Sequence, residues 1–124
     1  MKELKPHIKR QTIISTTKGI DDKGQVMTDI IEKNLRVKKS KVYAISGPSI
    51  AKEVASGHHT VLVLGGTKNK NGRFVERVLR TDKMHITLSS DKDGIQLLGF
   101  YKNVIAILVG ICEELGGEII LKQH

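Results

Sequence analysis

Residues 60–65, TVLVLG, restrict the fold more than any other stretch of the chain. Four aliphatic side chains in succession point alternately to the two sides of an extended backbone, so both sides need apolar cover. A strand with one wet face would alternate apolar and polar residues instead. Three further β-rich runs accompany it: TIISTT at 12–17, KVYAI at 41–45 and MHITL at 84–88. Longer segments with helical periodicity separate them. Residues 24–35 carry Val26, Met27, Ile30, Ile31 and Leu35 on one side and Thr28, Asp29, Glu32 and Lys33 on the other. Residues 50–57 read as a short helix stopped by Gly57, and residues 71–80 offer Phe74, Val75, Val78 and Leu79 as an apolar face. Residues 91–115 read as one long helix. Strands alternating with helices predict an α/β layer with a mainly parallel sheet. A chain of 124 residues without repeats or a long linker suits a single core.

The net charge of +8 poses the question of an anionic partner. Its densest clusters, RVKKSK at 36–41 and KNKNGR at 68–73, fall in loops, and the only aromatic residues are Tyr43, Phe74, Phe100 and Tyr101. So sparse a stacking surface argues against nucleic acid as the partner. No uninterrupted apolar run reaches the ~20 residues of a bilayer-spanning helix. The opening KELKPHIKR lacks the apolar centre of a secretory signal, so a cytoplasmic chain is expected. The single cysteine, Cys112, lies in the apolar helix and is expected to be a small buried hydrophobe. His58 and His59 are adjacent loop residues, and no cluster has ligand spacing, so no metal is expected. The dinucleotide fingerprint G-x-G-x-x-G and the P-loop are absent from the sequence.

Three places can carry chemistry, two of them beyond the carboxyl ends of strands, where open parallel sheets bind ligands. Lys18 follows the first strand, and Gly19 after it lets the backbone turn away while the ammonium points into a crevice or into solvent. SGPS at 46–49 closes the second strand: Gly47 permits close backbone approach, Pro48 suits a first helical turn, and Ser49 adds a hydroxyl beside free amides. Such a turn favours an anion, or simply caps a helix. The third place is GFYKNVIAILVGI at 99–111, where Lys102 shares a helical face with Leu98, Ile105, Ala106 and Val109. Val104, Leu108, Ile111, Cys112 and Leu115 occupy the adjoining face. A lysine so placed snorkels outward, pairs with a charge, or loses proton affinity and becomes a general base.

TTKGI at 16–20, SGPSIAKEVA at 46–55 and GIQLLGFYKNVIAILVGI at 94–111, in that order, resemble the NAD(P)-dependent glycerol-3-phosphate dehydrogenases. The resemblance implies part of a Rossmann-like sheet, with residues 1–90 as the latter part of a nucleotide-binding domain and 91–124 as the start of an all-α substrate domain. It also implies roles. Lys18 would touch both substrate and NAD(P), Gly47 and Ser49 the glycerol phosphate, and Ala51 the cofactor. Lys102 would be the proton acceptor, held away from water for that purpose, with Asn103 orienting the small phosphorylated substrate beside it. The implied reaction is hydride exchange between NAD(P)H and dihydroxyacetone phosphate, or the reverse from glycerol 3-phosphate, in phospholipid precursor synthesis. In the family a glycine-rich turn lies before these motifs and phosphate-gripping helices lie after them. The chain alone is therefore expected to be inactive, and to associate with a second copy or a complementing fragment through an exposed sheet edge and an uncovered helix. The alternative reading is a basic, non-catalytic module for nucleic acid or a protein partner.

Overall fold

The computed structural model describes residues 3–115. Four strands form one sheet in the order β1 (Ile13–Ser15), β2 (Val42–Ser46), β3 (Thr60–Gly65) and β4 (Met84–Ser89). β1 runs parallel to β2 and β3 parallel to β4, so the sheet is mainly parallel as expected. β2 and β3 pair antiparallel, with Ala44 opposite Gly65 and Ser46 opposite Val63. The five-residue helix α2 (Ala51–Ala55) joins them, and the chain turns back beside β2 after it. α1 (Met27–Leu35), α3 (Lys70–Leu79) and α4 (Lys92–Glu114) complete the fold.

Alternation along β2 sends its side chains to two cores. Val42 packs with Ile31 and Leu35 of α1, whereas Tyr43 packs with Val75 of α3 and with Leu64 and Ile86 of the neighbouring strands. The sheet is thus covered on both sides, which is what TVLVLG demands. Cover on β3 concentrates at Leu64 and at Gly65, against which Ile95 and the backbone of Lys92 lie; Val61, expected to be buried, is exposed. On α3 Gly72 and Val75 are buried, while Phe74 and Val78, expected in the core, stand in solvent because the helix turns a narrower stripe to the sheet.

The polar side expected for α1 also holds a surprise. Thr28 is fully buried, its N–H donating to Gln96 Oε1 at 3.0 Å while Gln96 Nε2 donates to Thr28 Oγ1 at 2.8 Å. Lys92 is buried as well and pairs with Glu32 of α1. An orphaned buried polar group costs about 1–3 kcal/mol, so this pattern matters; among the described residues no buried side-chain polar atom lacks a partner. These contacts fasten the first two turns of α4 to α1. Beyond Gly99 the helix leaves the sheet, and Tyr101, Ile105, Ile107, Leu108, Ile111 and Leu115 are all exposed. Cys112 is exposed too, against the expectation of burial, because nothing among the described residues packs on that part of α4. By length and composition alone α4 is apolar enough to cross a membrane, although its start is tied to the sheet.

Candidate functional site

The site forms where the carboxyl ends of β1 and β2 meet α4. The two strands are parallel, so Ser15 and Ser46 end them on the same side of the sheet. β1 continues through Thr16 and Thr17 to Lys18, and Gly19 turns the chain with φ of 136°, a backbone that side chains rarely adopt. α4 crosses this end of the sheet with Gly99 facing down. A Cβ at Gly99 would lie 2.8 Å from Ser46 Oγ and 3.8 Å from Lys18 Cγ. The absence of a side chain at residue 99 therefore lets the helix sit on the ends of both strands.

Lys102 and Asn103 follow Gly99 by three and four residues, so all three share one side of α4. Lys18 borders that side through its Cγ. Lys102 is exposed, which corrects the expectation that this chain shields it: at its level α4 has already parted from the sheet.

The SGPS turn begins at Ser46 itself. Gly47 presses against β3, where an added Cβ would meet the Val61 carbonyl at 2.6 Å, so its close approach is to the chain's own backbone. Ser49 N–H donates to the Gly47 carbonyl at 2.9 Å, making a tight turn. Pro48 does not sit in the first helical turn as expected, because α2 starts at Ala51 with Ile50 as its N-cap. Ser49 and Ala51 are exposed along the turn that leaves this end of β2. The structure therefore brings Gly99 of α4 against Ser46 and Lys18, with Gly47 next to Ser46 in the chain, while Lys102 and Asn103 lie exposed one turn further along the helix and Ser49 and Ala51 lie exposed along the turn that leaves β2. Gly99 and Ser46 were missed as positioning residues. A glycine inside an apolar helix costs about 1 kcal/mol against alanine, and that cost is the signal that something must approach closely there.

Residues 1–72 match the family described as NAD-dependent glycerol-3-phosphate dehydrogenase N-terminus. The glycerol-3-phosphate dehydrogenase [NAD(P)+] of Koribacter versatilis is 34% identical over 116 residues, covering 91% of this chain and 34% of the relative. That of Fusobacterium nucleatum is 35% identical over 116 residues, covering 92% of this chain and 35% of the relative. The crystal structure of glycerol-3-phosphate dehydrogenase from Coxiella burnetii superposes with a TM-score of 0.83 at 27% identity, over 92% of this chain and 35% of that one. The chain thus spans about a third of the length of the relatives it matches. With the family match covering more than half of its residues and the same fold in a solved relative, the chain belongs to the NAD(P)-dependent glycerol-3-phosphate dehydrogenase family.

Proposed function

We propose that this chain supplies the proton-transfer face of a glycerol-3-phosphate dehydrogenase and acts only when joined to the remaining elements of that family. The observation that supports the reading is the seat of α4 on the strand ends at Ser46–Gly99 beside Lys18, with Lys102 and Asn103 three and four residues further along the same helix. Lys102 takes the hydroxyl proton of glycerol 3-phosphate, or returns a proton to the carbonyl oxygen of dihydroxyacetone phosphate. Asn103 orients the reacting oxygen. Lys18, with Gly47 and Ser49 on the SGPS turn, binds the phosphorylated substrate. NAD(P), when bound, accepts or supplies the hydride.

This chain offers the cofactor Lys18 after β1 and Ala51 at the start of α2, both exposed, and its sequence has no glycine-rich pyrophosphate cradle. Residues 1–90 act as the latter part of a nucleotide-binding domain and 91–124 as the start of a helical one. The exposed apolar side of α4 supports this division, since a covering domain or a second copy would take Lys102 out of water, the condition under which an amine serves as a base. A cytoplasmic setting agrees with the single thiol of the sequence.

Titration of the isolated chain with NADH tests the division of labour: no saturable binding is expected, and a tight stoichiometric titration would contradict it. Joined to the flanking segments of a relative, the chain should support NADH oxidation that depends on dihydroxyacetone phosphate.

A further inference from the structure

We infer that the cleft between α3 and β4 binds a small phosphate-bearing dianion, at a place separate from the site described above and on grounds independent of the proposed reaction. The cleft is open to solvent, offers about 530 Å³ and is lined by Lys68, Arg73, Glu76, Arg77, Thr87 and Leu88. That volume falls in the range of about 300–1,000 Å³ common for small-molecule sites. Three cations face one carboxylate, leaving +2 on the lining (3 − 1). The carboxylate is already engaged: Glu76 Oε1 lies 3.3 Å from Arg80, whose guanidinium also donates to the Ile86 carbonyl at 2.9 Å. Among the described residues the ion pairs are Arg80–Glu76 and Lys92–Glu32, so neither arginine of the cleft has a carboxylate partner.

Arg73 and Arg77 stand one turn apart on α3, an arrangement that like-charge repulsion disfavours in an isolated helix. An anion between them reverses that sign. Lys68 is presented by a fixed backbone rather than a loose loop. The buried Tyr43 hydroxyl donates to Asn69 Oδ1 at 2.8 Å and lies 3.1 Å from the Thr67 carbonyl, so both neighbours of Lys68 are pinned. Asn69 also caps α3 by accepting from Gly72 N–H at 3.0 Å and donates to the Ser40 carbonyl at 3.0 Å. Two guanidinium forks, a lysine point charge and the Thr87 hydroxyl match the acceptor oxygens of a phosphate group. The concave, local charge fits a compact dianion better than a polymer, which would need a stripe of cations across the surface.

The test is an amide-shift NMR titration of the 124-residue chain with inorganic phosphate at constant ionic strength, with a single-stranded 20-mer as a second arm. Saturable shifts at Thr87, Leu88 and the first turns of α3 are expected. The double substitution Arg73→Gln/Arg77→Gln, on exposed positions, should weaken phosphate at least about tenfold, while Glu76→Gln should tighten it about threefold by removing the opposing charge. The opposite directions separate binding from any general loss of structure. Linear shifts without saturation, equal phosphate affinity in parent and double variant, or shifts caused by the oligonucleotide alone would each overturn the inference.

Discussion

Replacing Gly99 by alanine probes the contact on which the candidate site is built. The new Cβ would stand 2.8 Å from Ser46 Oγ, well inside ordinary contact, with Lys18 Cγ a further 1 Å away (3.8 − 2.8). Overpacking of this kind costs about 1–3 kcal/mol, against which alanine returns about 0.5–1 kcal/mol of helix propensity. The expected balance is a loss of about 1 kcal/mol, which lowers the urea midpoint by about 0.5–1 M. Removing the hydroxyl changes the sign. In a Ser46→Ala background the nearest remaining atom of residue 46 is its Cβ at 3.7 Å, an ordinary van der Waals distance. There Gly99→Ala should stabilise by about 0.5–1 kcal/mol, giving a coupling of about 2 kcal/mol in a double-mutant cycle. Urea unfolding of parent, both single variants and the double variant measures it. Additivity within about 0.5 kcal/mol, or stabilisation by Gly99→Ala alone, would show that α4 does not rest on Ser46.

Two further outcomes follow from buried polar contacts. Lys92→Met keeps the stem but strands the Glu32 carboxylate, whose side chain is 17% exposed; this should cost about 2–3 kcal/mol in chemical denaturation, and Lys92→Met/Glu32→Gln should recover most of it. Tyr43→Phe removes a fully buried hydroxyl that serves Asn69 and should cost about 1–2 kcal/mol. Burial pushes the Tyr43 phenol above its ordinary 10.0, with the Asn69 hydrogen bond opposing, so the unfolded chain gives up this proton first. The tyrosine's contribution is then complete below pH 10.0 and declines as pH rises through the folded value, and a pH series of unfolding midpoints should show a shallower alkaline fall for Tyr43→Phe.

Much of the architecture was written in local periodicity. The β-rich runs became β1 to β4, and the 91–115 helix was observed over Lys92–Glu114, because alternation and helical spacing are properties of neighbouring residues. The antiparallel direction of β3 was not legible, since it depends on how a 13-residue connection (47–59) closes in space. Burial was legible only where both covering layers lie within the described residues. Phe74, Val78 and Cys112 are apolar yet exposed, whereas Thr28, Gln96 and Lys92 are polar yet buried because each finds its partner across α1 and α4. For the site, the turn glycines and the helix lysine could be picked out by residue type. That Gly99 seats the helix on Ser46 required a contact between residues 53 positions apart in the chain (99 − 46).

The measurement closest to the centre of the account is kcat/KM for dihydroxyacetone phosphate with Lys102→Ala, in a protein where this chain is joined to a relative's flanking segments. If Lys102 transfers the proton, the rate should fall by about 10²–10⁴ while NADH affinity is unchanged, as expected for loss of a general acid–base group. Equal rates for variant and parent would contradict the assignment.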